Sequence, residues 1–503
     1  MFENITDPLA HHARRRPDHP ALIEEGRTLT YRQLDPLVRR TASHLRNQGV
    51  VPGDIIGLSL NDGIDYIVAM LGLARVGAVM LPLDWRWTGQ EKSRVATFFG
   101  AKASLVNDEG ERIEGVDSWA VEDSWHAAVA NADAGQIFPS NGDAPLLLSL
   151  SSGTTGQPKG PMLKHRQMIL RFQSQWVTLS LNEHDRFMCA TPMYFGGARG
   201  YSLSYLYIGG TIVMFSPPYT PEELIEAVGS HSVSTLFLVP TLLRRLLQMP
   251  QQIENGKLMM PSVRLLISSG SNFYAEERNA VMERISPNFV NAFSSTEGGP
   301  VSLLTPAHKG KHAESVGQAV YMTDFEVVDD DGNPLPTGEF GHIRQISPWL
   351  PDGFYKNPEE SAKLFCDGWY YTGDLGRLDE DGFLYLTGRA KDMIIRGGIN
   401  IYPTEIEETL LEHATVQDAS VVGWTSAEFG EEVAAFVVSA GDADEAALIE
   451  HCRARLAPYK APRQVFFIDE LPRNPGGKVL KAELTKRLPE FEPKSKEPGD
   501  AAS

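Results

Sequence analysis

Short apolar runs alternate with amphipathic segments through the first half of the chain. "DIIGLSL" precedes "GIDYIVAMLGLARVG", "GGTIVMF" precedes "PEELIEAVGS", and "VRLLISSG" precedes "AEERNAVMERI". A continuous apolar run of this length is typical of a strand buried on both faces, and the amphipathic segment after it is typical of a covering helix. The alternation therefore predicts an α/β fold in which helices cover parallel sheets.

The pattern changes twice towards the C-terminus. From about Val316 short alternating segments are joined by turn signals, and the pairs Asp331-Gly332 and Asp381-Gly382 are typical of hairpins. After Gly388 strands and helices alternate again over about 100 residues, which is enough for a small α+β domain. A β-rich subdomain and then a separate small domain are the structures that this order predicts.

We therefore predict a large composite N-terminal domain over residues 1–389, with two helix-covered sheets and the β-rich subdomain. A small mobile α+β domain is predicted over residues 390–490. Residues 491–503 are charged and rich in Pro and Gly, which predicts a disordered tail. A chain of 503 residues also exceeds the usual size of a domain with one core.

Composition excludes several classes of partner. The formal net charge is -19 and the pI is about 5.2, whereas binding to nucleic acid requires a basic face. No apolar segment is long enough to cross a membrane, and the basic stretch "HHARRRPDHP" is not followed by the apolar run of a signal peptide. We therefore expect a cytoplasmic protein. Its three cysteines are expected to be buried, inert thiols that form neither a disulfide framework nor a zinc site.

A glycine- and hydroxyl-rich stretch, "SLSSGTTGQPKG", follows the predicted strand "PLLLSL". Glycines allow backbone N–H groups to approach an anion, hydroxyls donate further hydrogen bonds, and a lysine adds charge. The spacing differs from the Walker phosphate loop, because Gly160 stands where that motif has a hydroxyl. Such a stretch taken alone is equally compatible with an ordinary surface loop. The candidate phosphate-binding residues are Ser151, Ser152, Gly153, Thr154, Thr155, Gly156 and Lys159.

This stretch and four others closely resemble the signatures of the acyl-adenylate-forming superfamily, which contains acyl-CoA synthetases, amino-acid adenylation domains and firefly luciferase. The others are "NAFSSTEGGP", "YYTGD", "GRAKDMIIRGGINIYPTEIE" and "LPRNPGGKVLK", in the family's order and spacing. The pattern is closest to stand-alone acyl-CoA synthetases. The resemblance implies that a carboxylate attacks the α-phosphate of ATP to give acyl-AMP and pyrophosphate, after which a thiol, usually that of coenzyme A, displaces AMP.

The resemblance implies a set of catalytic residues. Lys478 matches the lysine that bridges the attacking carboxylate and the α-phosphate, and Thr296 matches the residue that contacts this phosphate. Glu297 matches the ligand of Mg²⁺, a hard cation that prefers oxygen ligands. The bland alternatives are a solvated loop lysine and a Thr-Glu helix cap.

The same resemblance implies the residues that bind the nucleotide. Gly270 and Asn291 resemble positions of the adenine pocket, and Phe293 stands where the family usually has a stacking tyrosine. Asp374 matches the carboxylate that binds both ribose hydroxyls, and Arg389 completes that contact. Either of these two charges alone would more often lie on the surface.

Two further residues are implied for the second half-reaction. Lys391 matches the hinge, Asp or Lys in the family, about which the small domain swings. Gly398 resembles the glycine that leaves room for the pantetheine arm of coenzyme A. A plain turn at Gly397-Gly398 is the alternative.

The acyl pocket is implied by the segment "TPMYFGGARGYS". Phe195 stands where acyl-CoA synthetases often have His, and Gly196 stands where amino-acid adenylation domains have Asp, which indicates an acid without an α-amino group. Gly298 leaves space for an apolar tail, so a fatty, alicyclic or aromatic acid is expected. Arg199 is a candidate contact for a polar tail, but exposure to solvent or a pair with an acidic neighbour is the more ordinary alternative.

The leading hypothesis is an ATP- and Mg²⁺-dependent carboxylic acid:CoA ligase. The chain continues only shortly beyond Lys478 without a carrier-protein domain, so coenzyme A is the expected acceptor. Transfer to a free-standing carrier protein and a catalytically silent nucleotide-binding homologue are the alternatives. The context "PRNPGGK" also resembles the site at which bacterial acyl-CoA synthetases are acetylated, so a lysine acetyltransferase is a candidate partner, and a homodimer is a candidate assembly.

Overall fold

The structure is a computed structural model that describes residues 2–150, 158–249, 258–308, 310–426, 428–474 and 477–488. The chain divides into two compact units. The N-terminal unit comprises the residues up to Phe325 and Arg344–Thr372, and the C-terminal unit comprises Glu326–Ile343 and the residues from Gly373 onward.

Helices and strands alternate as the sequence pattern predicts. The strands are β1 (Pro20–Glu24), β2 (Arg27–Thr30), β3 (Ile55–Ser59), β4 (Val79–Pro82), β5 (Ala103–Val106), β6 (Asp117–Ala120), β7 (Pro145–Leu148), β8 (Met162–Lys164), β9 (Arg186–Cys189), β10 (Thr211–Met214), β11 (Thr235–Phe237), β12 (Leu265–Ser268), β13 (Phe289–Ser295), β14 (Gly299–Leu304), β15 (Gln318–Ala319), β16 (Asp324–Val328), β17 (Gly341–Ile346), β18 (Phe365–Cys366), β19 (Trp369–Leu378), β20 (Leu384–Arg389), β21 (Ile394–Arg396), β22 (Ile399–Ile401), β23 (Val416–Ser426), β24 (Gly430–Ser439) and β25 (Gln464–Phe467). The helices are α1 (Pro8–Arg15), α2 (Tyr31–Asn47), α3 (Ile64–Val76), α4 (Gly89–Phe99), α5 (Asp123–Asn131), α6 (His165–Leu179), α7 (Gly196–Ile208), α8 (Pro221–Ser230), α9 (Pro240–Gln248), α10 (Ala275–Arg284), α11 (Pro358–Leu364), α12 (Pro403–Leu411), α13 (Glu445–Arg453) and α14 (Lys481–Arg487).

Two mainly parallel sheets form the N-terminal unit. One has the order β15-β14-β13-β12-β11-β9-β10-β1-β2, and the other has the order β6-β5-β3-β4-β7-β8. The strands from β13 to β1 and from β6 to β7 are parallel, and the antiparallel pairs lie at the edges. All residues of β3, β4 and β12 are buried, which is the burial expected of strands covered on both faces. The predicted fold class is confirmed.

A third sheet has the order β16-β17-β19-β18, with β20 paired to β19. The predicted hairpin at Asp381-Gly382 joins β19 and β20, and Gly382 has the positive φ of +77° that such a turn requires. The compact units divide at Thr372/Gly373, within β19. The predicted domain bounds of 1–389 and 390–490 stay predictions. The predicted tail, residues 491–503, lies outside the described ranges.

The C-terminal unit contains a small α+β sheet. Its order is β22-β21-β24-β23, and β25 adds in parallel to β24. Helices α12 and α13 pack on this sheet through a core that includes Ile406, Leu410 and Leu448. This architecture matches the small α+β domain predicted for the last part of the chain.

The three cysteines differ in how far they are buried. Cys189 and Cys452 are buried free thiols, but Cys366 is only partly buried, so the prediction of three buried cysteines is wrong at that position. The edge strand β18 carries Cys366, and an edge leaves one side of a strand open.

Within the described ranges, every helix is too short or too polar to cross a bilayer.

Gly317 provides a test of the packing at the β14–β15 edge. Its φ is +93°, and an added Cβ would lie 1.8 Å from the Leu303 carbonyl oxygen. We predict that Gly317→Ala lowers the free energy of unfolding by more than about 2 kcal/mol, because backbone must move to admit the methyl group. Gly310 is the matched control, since its φ is +88° but nothing lies within 4 Å of its Cβ position. Urea unfolding should show a clearly smaller loss for Gly310→Ala, and equal losses would contradict the prediction.

Candidate active site

The ends of neighbouring parallel strands carry the predicted adenine residues. Gly270 follows β12, whereas Asn291 and Phe293 lie on β13, and Asn291 is in register with the last residue of β12. Asn291 is buried and Phe293 is partly exposed. Residues two apart on a strand share one face, so these two side chains point to the same side of the sheet. The fold therefore brings three predicted residues to one sheet edge.

Thr296 and Glu297 lie in the turn between β13 and β14, so they do not cap a helix. The Arg171 guanidinium, from α6, donates a hydrogen bond of 2.9 Å to the Glu297 carbonyl oxygen. Burial lowers the pKa of Arg171 to about 10, and the charge of Glu297 opposes that shift. Among the described residues, no donor engages the Glu297 carboxylate. The backbone of the turn is fixed while its carboxylate is left available.

Gly298 is held by side chains that no sequence motif indicated. Its carbonyl accepts hydrogen bonds from Gln345 Nε2 at 3.0 Å and Trp349 Nε1 at 2.9 Å. An added Cβ would lie 2.5 Å from Gln345 Oε1 and 2.9 Å from Tyr370 Cδ1. Close packing of the fold already requires glycine at this position. The predicted role of Gly298 in the acyl pocket stays a prediction.

Within the described part of the chain, Arg199 is neither exposed to solvent nor paired with an acidic residue, which were the two ordinary alternatives. It is 2% exposed, and no carboxylate of a described residue lies within 4.0 Å of it. Its guanidinium donates to the carbonyls of Met193 and Tyr194 at 3.1 and 2.6 Å, and to Ser149 Oγ at 3.2 Å. Burial lowers its pKa. The expectation of solvent exposure or an acidic partner is wrong because α7 carries Arg199 into the interior, beneath the bend that precedes Phe195.

A second group of charges holds the same bend. The Met193 N–H donates to Asp62 Oδ1 at 2.6 Å, and burial raises the pKa of Asp62 to about 6. Arg86 makes a two-pronged contact with Asp84, with both distances 3.0 Å, and donates to the Tyr194 hydroxyl at 2.9 Å. Sequence reasoning missed these residues, because Asp62 lies far from Met193 in the chain and belongs to no motif. The segment that carries Phe195 is thus fixed through backbone and side chain.

Lys159 is the predicted phosphate-binding residue of the glycine-rich stretch that falls within the described ranges. Lys159 Nζ lies 2.7 Å from Glu360 Oε1, and this ion pair lowers the pKa of Glu360. The other predicted phosphate-binding residues lie outside the described ranges; they are Ser151, Ser152, Gly153, Thr154, Thr155 and Gly156.

In the C-terminal unit, Asp374 and Arg389 are partners in the register of β19 and β20. Arg389 Nε lies 2.7 Å from Asp374 Oδ1, and Asp374 is only 6% exposed. The alternative that Asp374 is a surface charge is therefore wrong. Antiparallel pairing brings together two residues from different motifs and orients a carboxylate with an arginine.

Lys478 lies close enough to this pair to be affected by its charges. Burial, and then the charge of Arg389, lower the pKa of Lys478 to about 8, whereas Asp374 raises it and Lys391 lowers it. The alternative of a freely solvated lysine is wrong, because Lys478 is partly buried. Perturbed pKa values of this kind cluster at functional sites. The C-terminal unit therefore gathers Asp374, Arg389 and Lys478 from three separate motifs.

Lys391 and Gly398 lie in exposed positions of the same unit. Lys391 belongs to a short 3-10 helix, Ala390–Asp392, directly after β20. Gly397 and Gly398 form the two-residue turn of the β21–β22 hairpin, with φ of +57° and +82°. Such a turn requires positive φ at both positions, so the turn explains both glycines. The hinge and pantetheine roles stay predictions.

The fold is that of an adenylate-forming enzyme. A family model described as AMP-binding enzyme matches residues 9–355, and a model described as AMP-binding enzyme C-terminal domain matches residues 405–478. The chain belongs to the AMP-binding enzyme family, and the family predicted from its motifs is confirmed.

Individual relatives cover nearly the whole chain. A feruloyl-CoA synthase from Amycolatopsis sp is 32% identical over 95% of this chain and 97% of its own. The fatty acid–[acyl-carrier-protein] ligase ScoC from Streptomyces coeruleorubidus is 29% identical over 97% of both chains. The crystal structure of ATP-bound MatB from Rhodopseudomonas palustris superposes with a TM-score of 0.90 at 28% identity, over 97% of this chain and 99% of that chain.

The contacts of Arg199 predict a large structural effect of its removal. Arg199→Met leaves the buried carbonyls of Met193 and Tyr194 without their donor, and we expect the free energy of unfolding to fall by about 2–4 kcal/mol. Arg166, which is 60% exposed and paired with Asp143, is the matched control. Arg166→Met should change stability by less than about 0.5 kcal/mol in urea unfolding followed by circular dichroism. An Arg199→Met protein as stable as this control would show that the buried contacts contribute nothing.

Proposed function

We propose that this enzyme joins a carboxylic acid that lacks an α-amino group to the thiol of coenzyme A. In class it is an ATP-dependent, AMP-forming acid–CoA ligase that acts through an acyl-AMP intermediate, in agreement with its family and relatives. A carboxylate oxygen bonds to the α-phosphorus of ATP as the bond to pyrophosphate breaks. The thiol then loses its proton to solvent, its sulfur bonds to the acyl carbon, and AMP leaves with the electron pair of the broken bond.

One observation carries this proposal most strongly. Three motif residues that are far apart in sequence interact electrostatically in the C-terminal unit: the Asp374–Arg389 pair and Lys478. A carboxylate beside an arginine suits the two hydroxyls of a ribose, and an ammonium group suits an α-phosphate and a carboxylate that must approach each other. We assign Lys478 to the first half-reaction on this basis.

The N-terminal unit supplies the remaining groups that we assign to ATP. Thr296 would donate to the α-phosphate, and Lys159 with the glycine-rich stretch would bind the phosphates that leave as pyrophosphate. The Glu297 carboxylate is a hard oxygen ligand, and among the described residues no donor engages it, so it fits Mg²⁺. Mg²⁺ bound there would neutralise phosphate charge. Gly270, Asn291 and Phe293 would bind adenine.

Two assignments concern the second half-reaction and rest on the family resemblance. Lys391 would be the pivot of a mobile small domain, which we place at residues 390–490, and Gly398 would admit the pantetheine arm.

Because Lys478 would act only in the first half-reaction, acetylation there by a lysine acetyltransferase would block adenylation alone. Mass spectrometry of the protein from its native cells would detect that modification. We place the enzyme in the cytoplasm, and a homodimer is the assembly to test first.

The acid is proposed to be aromatic or otherwise apolar. The Tyr194 and Phe195 ring centroids lie 4.1 Å apart, and those of Tyr201 and Phe237 lie 5.6 Å apart. Gly196 supplies no carboxylate to pair with a substrate ammonium group. The similarity to a feruloyl-CoA synthase favours the same substrate class. Fatty and alicyclic acids belong in the same panel of candidates.

Transfer to a carrier protein is the second candidate function. It is favoured by the similarity to ScoC, whose name describes a fatty acid–[acyl-carrier-protein] ligase. The two functions share adenylation and differ only in the acceptor. Loading of a phosphopantetheine carrier protein without free coenzyme A would support this alternative.

We predict that the protein with ATP, Mg²⁺, coenzyme A and a panel of acids forms AMP, and that aromatic or apolar acids give the highest rates. Lys478→Ala should lower the adenylation rate at least about 100-fold, because it removes the charge that stabilises the transition state. The same variant should still form thioester from supplied acyl-AMP. Coupled measurement of AMP and pyrophosphate release checks both points.

Lys486→Ala is the matched control, because Lys486 is an exposed lysine on the nearby helix α14. It should adenylate at the wild-type rate. Tight ATP binding without AMP formation for any acid would instead indicate a catalytically silent homologue. Undiminished adenylation by Lys478→Ala would overturn the assignment of that residue.

The lowered pKa of Lys478 predicts an alkaline limit to adenylation. The active form is the ammonium ion, so kcat/KM for adenylation should be constant below pH ~8 and fall about tenfold per pH unit above it. Lys478→Arg stays charged throughout this range and should lose the alkaline limb, although its rate is lower. Pyrophosphate release measured from pH 6 to about pH 10 tests the profile. A wild-type profile that stays flat across this range would contradict the prediction.

A further inference from the structure

The loop that carries Lys478 is closed by an arginine. Arg473 and Val479 form an isolated antiparallel bridge, and Arg473 Nη1 donates a hydrogen bond of 2.6 Å to the Gly477 carbonyl. That carbonyl belongs to the peptide group that joins Gly477 to Lys478. Arg473 therefore fixes the backbone immediately before the lysine.

The same guanidinium also binds a carboxylate on β23, an edge strand of the sheet in the C-terminal unit. Arg473 Nη2 lies 2.5 Å from Asp418 Oδ2. Asp418 belongs to β23, where it is in register with Val438 of β24, and its Oδ1 accepts from the Ala419 N–H at 3.0 Å. From Asp418 to Ser426 the strand is held on β24 by a continuous ladder, which begins just after a register shift at Val416/Asp418. Through Asp418, the loop is tied to the paired strands β23 and β24.

Asn474 makes two hydrogen bonds with the backbone of Lys478. Its side-chain oxygen accepts from the Lys478 N–H at 2.9 Å, and its own N–H donates to the Lys478 carbonyl at 2.9 Å. These bonds hold Asn474 and Lys478 together but do not connect either residue to the sheet. Among the described contacts of the loop, the Arg473–Asp418 pair joins its backbone to β23.

We propose that Arg473 and Asp418 are positioning residues that set the place of the Lys478 ammonium group for adenylation. The inference rests on the proposed function of Lys478 and adds residues to the same site. A side chain as long as lysine transmits a small shift of its backbone to its charged end, and a misplacement of about 1 Å at a reacting group can cost about 100-fold in rate. The pair itself is a partly exposed ion pair, with side chains 21% and 32% exposed, so it contributes little to stability.

The test separates the two half-reactions. For Arg473→Met and Asp418→Asn we expect kcat of adenylation to fall about 10- to 100-fold, with the KM values for ATP and acid within about twofold of wild type. Thioester formation from supplied acyl-AMP should stay at the wild-type rate, because Lys478 does not act in that step. Asp418→Glu, which retains the carboxylate, should recover part of the lost rate.

A double-mutant cycle identifies the route of the effect. If Arg473 acts through Lys478, then Arg473→Met should lower adenylation no further in a Lys478→Ala background. Arg455 is the matched control, because it lies in the turn after α13 and forms an ion pair with Glu412 at 3.2 Å in the same unit. Arg455→Met should leave both half-reactions unchanged.

Three outcomes would overturn the proposal. The first is wild-type adenylation by both Arg473→Met and Asp418→Asn while Lys478→Ala is impaired, which would leave the proposed function intact. The second is an equal loss in both half-reactions, which would indicate a general structural role. The third is a further loss in the Lys478→Ala background. If Arg473→Met does not fold, Asp418→Asn, which preserves the side-chain volume, is judged by the same three criteria. Wild-type adenylation by Lys478→Ala would instead refute the proposed function itself.

Discussion

Parallel pairing of β13, β12, β11, β9 and β10 is the constraint on which the N-terminal unit depends. Parallel strands run in one direction, so the segments that follow them emerge at the same edge of the sheet, where open α/β sheets bind ligands. The segments after β9, β12 and β13 contain Phe195, Gly270 and Thr296, respectively. These residues come from widely separated motifs, and the topology alone is sufficient to collect them.

Buried arginines then determine how those segments are held. Arg171 donates to the carbonyl of Glu297, and Arg199 donates to the carbonyls of Met193 and Tyr194. A guanidinium group has five donors in a planar fork, so it can bind several carbonyls at fixed angles, which an ammonium group cannot do. The desolvation cost of a buried charge is offset here by backbone oxygens, and each arginine makes a turn rigid without using a carboxylate.

Sequence could predict the fold class and the motif residues, but it could not predict the contacts that hold them. Alternating apolar runs follow from local chemistry, and Asp374, Arg389 and Lys478 are recognisable because the family resemblance marks their positions. Arg171 and Glu297 are 126 residues apart, and no local pattern indicates that they meet. For Arg199 the residue was identified but its environment was not, because the burial of a charge depends on packing partners that a single sequence does not reveal.

The charges of the C-terminal unit explain why Lys478 suits a reaction between anions. Burial is the main cause of its lowered pKa; Arg389 and Lys391 lower the pKa further, whereas Asp374 and Asp392 raise it. The ammonium group is therefore less stable in the free protein than in water. The attraction of a negatively charged reactant would offset the free-energy cost of desolvating the ammonium group and of its repulsion from Arg389. Binding of the anion and protonation of Lys478 therefore favour each other. A lysine in ordinary solvent has its full charge already stabilised, and it would gain less from the charge that develops at an α-phosphate.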